Sequence, residues 1–310
     1  MEAEQNSVAK IPWYKYKKTK HDGNFFVFWQ FLAATIIIIG SAWIMADSFL
    51  TGFDEGTNDN SASATTDSSS SADSTDQNCN VTGINLHGEV MTYISPADYD
   101  KDGNITVDET ASENVIFAIR DAEKDDKIKA IAIEIDSYGG SPVAGEEIAI
   151  ALKNAKKPTV AFIRGAGDSA AYWAATGANT IFASKNSDVG SLGVTMSYLD
   201  ASKQNKKEGL TYNQLSAGKF KDTGNSDKPL TAEESKLLMR DVNLLQENFI
   251  QAVSANRKLG VDKVKSMADG STMLGDMAVK NGLVDKIGGI YEVKEYLKSI
   301  IGAEPEICWQ

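Results

Sequence analysis

Between residues 129 and 183, short apolar runs alternate with segments patterned as helices, and this alternation narrows the possible folds more than any other feature. Residues 129–135 (KAIAIEI) are apolar and rich in β-branched side chains, the composition of a buried strand. A glycine turn follows (SYGGS, residues 137–141), and Pro142 then opens a helix to about residue 154, since proline's fixed φ and missing N–H suit a first helical turn. Residues 158–163 read as the next strand, 169–176 as a helix and 180–183 as a further strand. Strands joined through helices lie parallel, so the pattern implies β-α-β units whose helices cover a sheet. Upstream, 81–91 reads as a strand, and Val115, Ile116, Ile119 and Ala122 fall at helical spacing. Downstream, 231–259 reads as one long helix opened by a capping box of Thr231 and Glu234, with short helices and turns to the end. There is no internal repeat.

The N-terminal quarter is of another kind. Residues 25–46 (FFVFWQFLAATIIIIGSAWIMA) carry no charge, and a helix of that length crosses roughly 30 Å of hydrocarbon. Trp29 and Trp43 stand near its two ends, where aromatic belts form. The run exceeds the apolar region of a cleavable signal peptide, which favours an uncleaved anchor. Lys10, Lys15, Lys17, Lys18 and Lys20 precede it, so the positive-inside rule keeps the N-terminus in the cytoplasm. Residues 51–77, mostly Ser, Thr, Asp, Ala and Asn, cannot bury enough apolar surface to fold. The expected organisation is a basic cytoplasmic tail (1–24), a transmembrane helix (25–46), a disordered linker (47–78) and an extracytoplasmic domain (79–310). Cys79 and Cys308 bracket that domain. A bridge between them is chemically allowed outside the cytoplasm, and two unrelated thiols are as good a reading.

The net charge of −12 argues against nucleic acid, which needs a basic face. Two histidines, His21 and His87, leave little material for a Ser-His-Asp triad or a His-rich metal centre. His21 falls on the cytoplasmic side, and His87 lies in the first strand, where a structural role is expected. The chemistry therefore has to come from elsewhere. Four pieces stand at strand ends or in loops: the SYGGS turn, GAGDSAAY (165–172), VGSLGV (189–194) and SAGKFKDTG (216–224). Glycines allow positive φ and expose N–H groups, and two such groups can hold an oxyanion. A serine at a helix start lies where partial positive charge favours a developing anion. Singly, each piece is more often a plain turn, a cap or a solvated lysine.

Taken in order, the four pieces resemble the signal peptide peptidase A (protease IV) family of serine proteases. That family runs S-P-G-G, S-G-G-Y, T-G-S-I-G-V and G-x-Y/F-K-D, and here stand SYGG (137–140), SAAY (169–172), VGSLGV (189–194) and GKFKD (218–222). Residues 249–257, Asp269-Gly270 and AVKNGLVD (278–285) resemble its C-terminal part. The resemblance implies an α/β domain of the ClpP/crotonase type. It implies Ser169 as nucleophile, Lys221 as general base and Ser191 as the hydroxyl that orients the lysine amine. It implies Gly139, Gly140 and Ala170 as oxyanion-hole donors, with no cofactor required for catalysis. It also implies a ring-like homo-oligomer with each site shared between neighbouring subunits, acting on remnant signal peptides at the cell membrane. Ser-Lys pairs are a variant of triad logic, and the lysine serves as base only when burial lowers its pKa. Lys219 is the competing base; Lys221 is preferred because it follows the aromatic and precedes the Asp. Departures from the pattern are Tyr138 for Pro, Ala170 and Ala171 for two glycines, and a carboxylate, Asp168, directly before the nucleophile.

A separate motif lies at residues 98–109 (DYDKDGNITVDE), which matches an EF-hand loop. Asp98, Asp100, Asp102, Asn104, Thr106 and Glu109 stand at ligand spacing, and Gly103 at the sharp turn. No clear helix precedes it, so it is either a structural calcium site or an acidic surface insertion. Two other functions remain open to the chain: a non-catalytic, membrane-tethered scaffold on the same fold, and a crotonase-like acyl-CoA enzyme, which an extracytoplasmic location disfavours.

Overall fold

The computed structural model of the protein describes residues 78–98, 100–101 and 104–310. The expected tail, membrane helix and nearly all of the linker lie outside the described residues, as do Tyr99, Asp102 and Gly103 of the acidic loop. No described helix is long and apolar enough to cross a membrane.

The core is a parallel sheet in the order β2-β1-β3-β4-β5-β8: β2 (Glu109–Ala111), β1 (Val81–Met91), β3 (Ala130–Gly140), β4 (Thr159–Asp168), β5 (Thr180–Ala183) and β8 (Lys286–Ile287). Helices α1 (Ser112–Lys124), α2 (Pro142–Asn154) and α3 (Ser169–Ala175) make the crossovers. Their apolar sides join Ile131, Ile133, Ile135, Ala161 and Ile163 in one buried layer. On the other face Ala130, Ala132, Val160, Phe162 and Phe182 pack against Val293 and Leu297 of α8 (Ile290–Ile301). Alternate residues of β3 and β4 thus feed two cores, which is why their sequences read as continuous apolar runs rather than alternating ones.

Two strands run further than apolar patterning suggests. β3 continues through the glycine turn to Gly140, with Glu89 and Val90 of β1 opposite Gly139 and Gly140. β4 continues to Asp168 because β6 (Asp188–Gly190) takes over as its partner, with Gly190 opposite Asp168. Irregular register between Ile135 and Ser137 marks the point where the apolar strand becomes the polar edge of the site. Antiparallel to β6 lies β7 (Thr272–Leu274), and α7 (Gly275–Asn281) follows it.

The last strand, β9 (Ile307–Trp309), returns to lie parallel to the start of β1. There Cys79 and Cys308 form a disulfide, with Cα atoms 5.8 Å apart across a separation of 229 residues. The remaining helices are α4 (Ser202–Lys207), α5 (Ala232–Arg257) and α6 (Val261–Lys265). α5 opens on the expected capping box: the Glu234 N–H donates to Thr231 Oγ1, and the Thr231 N–H to Glu234 Oε2.

Candidate active site

β4 and α3 meet at Ser169 with almost no connecting turn, and Ser169 is held at φ 52°, in the left-handed region that residues with a Cβ seldom occupy. Such a conformation persists only where its surroundings enforce it. Here the end of β3 does so. Gly139, at φ 109°, passes so close that a Cβ built on it would lie 2.7 Å from the Cβ of Ser169 and 3.1 Å from the nitrogen of Ala170. The glycine is thus required by space as well as by dihedral. Buried Ser137 fastens this end of β3: its hydroxyl donates to the Gly88 carbonyl (2.6 Å) and accepts the Gly139 N–H (3.0 Å). One of the three expected oxyanion donors therefore already has a partner within the chain. The serine of the first motif also acquires a positioning role that its sequence did not disclose.

Ser169, Gly140, Ala170 and Ser191 all border one cavity of about 640 Å³. Much of its wall is apolar: Trp173 of α3 stacks on Phe249 of α5 (centroids 4.9 Å apart, planes 6° from parallel), with Leu245, Val194 and Met196 beside them, while Thr195 and Asp269 add polar groups to the lining. Ser191 also has a positive φ, 46°, and its hydroxyl donates to the Gly270 carbonyl (3.2 Å). Tyr138, at the family's proline position, stands at the rim and is 80% exposed.

Lys221 does not line this cavity. It is exposed in the loop between α4 and α5, with no ion pair among the described residues. Its neighbours are anchored: Tyr212 donates to Asp222 (2.8 Å), and Lys219 pairs with Glu233 (2.7 Å). The stretch from 196 to 220 exposes many apolar side chains, among them Leu199 (84%) and Leu215 (99%). The chain thus brings together the nucleophile candidate, the second hydroxyl and two of the three oxyanion candidates, and leaves the base candidate outside.

Asp168, directly before Ser169, turns inward. It is 4% exposed, and its Oδ1 has no hydrogen-bond partner. Burial, and secondarily the nearby charge of Asp188, push its carboxyl from 3.8 up to about 6. His87 does not line the cavity; its Nε2 lies 3.1 Å from Glu134, which also holds Arg164 at 2.8 Å. In the acidic loop, Asp98 accepts from Thr106 through its carbonyl, and the Asp100 side chain accepts from Asn104. Glu109 is drawn into β2. Among the described residues no three acidic, His or Cys side chains gather as a metal site.

Residues 151–303, which carry this serine turn and cavity wall, match peptidase family S49. A Methanocaldococcus jannaschii protein described as a protease is 33% identical over 214 residues, spanning 68% of this chain and 69% of its own. The chain belongs to peptidase family S49, and is thus a serine-type peptidase. An Enterococcus faecium protein described as a signal peptide peptidase is 30% identical across 60% of this chain and 55% of its own length. Protease 4 of Salmonella typhi is 32% identical across 60% of this chain and 30% of its own. Among solved structures, a ClpP1 variant of Listeria monocytogenes aligns with a TM-score of 0.42 and 15% identity, covering 67% of this chain and 91% of its own. That likeness is too loose to bear on function.

Proposed function

We propose that this family S49 member is a membrane-anchored serine endopeptidase that cleaves apolar peptides, remnant signal peptides among them. Ser169 is the nucleophile, and Lys221 of a neighbouring copy is the base. The observation that carries the reading is the strained Ser169 facing a largely apolar cavity that also holds the Ser191 hydroxyl but no basic side chain among its lining residues. A base must therefore arrive from outside, and the exposed, apolar-rich loop bearing Lys221 is suited to dock on another subunit. Docking would exclude water from around the amine, the setting that general-base work requires.

In the reaction, the neutral Lys221 amine takes the Ser169 proton as Oγ bonds to the peptide carbonyl carbon. The Gly140 and Ala170 amides face the resulting oxyanion. The C–N bond then breaks, the departing amine takes the proton from the lysine, and an acyl ester remains on Ser169. Water, deprotonated by the same amine, attacks the ester; the acid product leaves and Ser169 regains its proton. Ser191 orients the amine throughout. No metal enters these steps. Calcium held by Asp98, Asp100, Asp102, Asn104, Thr106 and Glu109 would stabilise the loop before α1, and calorimetry without a calcium heat at millimolar levels would remove that part. Residues 25–46 would hold the ring at the membrane with the catalytic domain outside the cytoplasm; protection of residues 79–310 from added protease in intact cells would contradict that topology.

The test is mixing. Ser169→Ala and Lys221→Ala proteins should each be inactive, and co-assembled subunits should regain part of the activity, because one interface in the mixture unites an intact serine with an intact lysine. Cleavage by Ser169→Ala alone refutes the nucleophile, and mixtures that stay inactive refute the shared site.

A further inference from the structure

The turn that carries Ser191 is held by more than its own backbone. Its Leu192 carbonyl accepts the Gly270 N–H (3.2 Å), and Ser191 Oγ donates back to the Gly270 carbonyl (3.2 Å). The two backbones are in such close approach that a Cβ on Gly193 would lie 2.8 Å from the Cα of Gly270. A single side chain from α5 closes this arrangement. Gln246 Nε2 donates to the Leu192 carbonyl (3.3 Å) and to the Ala268 carbonyl (3.0 Å), bridging the serine turn and the 268–270 loop. Leu245 and Phe249, its neighbours on the same helix, form apolar wall in the catalytic cavity. α5 thus supplies surface for substrate through its apolar residues and orientation for the turn through Gln246.

We infer that Gln246 is a positioning residue that acts through Ser191. Its amide offers two N–H groups, and each meets a carbonyl of a different loop, so one side chain sets the spacing between them. Ser191 stands at a φ that serine does not hold without support. Without the bridge the turn relaxes, and the hydroxyl loses its direction toward the point where the lysine amine arrives. The apolar wall, and with it substrate affinity, stays in place. The inference rests on the proposed role of Ser191 at this site.

The experiment measures kcat and KM of the full-length, assembled protein on an apolar peptide. Gln246→Met keeps the length and packing of the side chain but neither donor; Gln246→Asn keeps the amide but falls one methylene short. Both should lower kcat at least tenfold with KM within twofold of wild type. Ser191→Ala should do the same, and adding Gln246→Met to it should cost nothing further, because the residue acts through a hydroxyl no longer there. A wild-type kcat in either folded Gln246 variant overturns the inference. So does an equally steep fall when Gln246→Met is placed on the Ser191→Ala background, which would show a merely structural effect. Ser169→Ala, read in parallel, reports on the nucleophile separately: loss of cleavage there beside a wild-type kcat in Gln246→Met sinks the clamp and leaves the proposed mechanism standing.

Discussion

Asparagine in place of Asp168 isolates the cost of a charge buried beside Ser169. The carboxyl is 4% exposed, one oxygen lacks a partner, and burial together with Asp188 raises its pKa from 3.8 to about 6. The unfolded chain titrates near the lower value. Below about pH 3.8 the group is protonated in both states and carries no penalty. Between 3.8 and 6 the unfolded chain ionises first, so folded stability falls as pH rises, and above 6 the loss is complete. A rise from 3.8 to about 6, at about 1.4 kcal/mol per unit, amounts to about 3 kcal/mol. Urea unfolding of wild type and Asp168→Asn across pH 4 to 8 reads this directly. The two stability curves should separate by about 3 kcal/mol between pH 4 and 6.5, the variant gaining, and run level with each other above that. Curves that stay parallel over the whole range would show that Asp168 is not charged at a cost, and the argument from its burial would fail.

Three further outcomes are expected. Replacing both Cys79 and Cys308 by serine opens a loop of 229 residues and should cost about 2–5 kcal/mol, read as a lower Tm; an unchanged Tm would mean that the strand pairing of β9 suffices alone. Gly139→Ala forces a methyl to within 2.7 Å of the Ser169 Cβ at a φ of 109°, and a displacement near 1 Å at Ser169, the proposed nucleophile, should lower kcat by roughly 10²-fold; wild-type turnover would contradict the contact. Lys221→Arg keeps the charge but not the ability to lose a proton, so cleavage should vanish; an active arginine variant would exclude the lysine as base.

Much of the molecule is legible along the chain. The strands at 81–91 and 180–183, the helix from Pro142, and the capped α5 follow from apolar spacing, proline placement and the Thr231/Glu234 pair, all of which act over a few residues. The same signals stop β3 at Ile135 and β4 at Ile163. Beyond those points the residues are glycine, serine and aspartate, and what makes them strand is hydrogen bonding to β1 and β6, which no periodicity encodes. The roles of Ser137 and Gln246 were hidden for a related reason. A buried serine hydroxyl bound to a carbonyl 49 residues away, and an amide bridging carbonyls 54 and 22 residues away, look locally like any polar residue in a turn or on a helix.

From order and spacing alone the chain specifies alternating strands and helices, the serine turn, the glycines beside it and a lysine loop, because local sterics and apolar period suffice for each. Folding in three dimensions decided that Cys79 meets Cys308, that Asp168 turns inward, that two serines with positive φ share an apolar cavity, and that Lys221 stays outside it. Those outcomes depend on contacts between distant segments, whose free energy comes from excluding water and pairing polar groups across the core, and neighbours in sequence carry no record of which distant group will fill the remaining space.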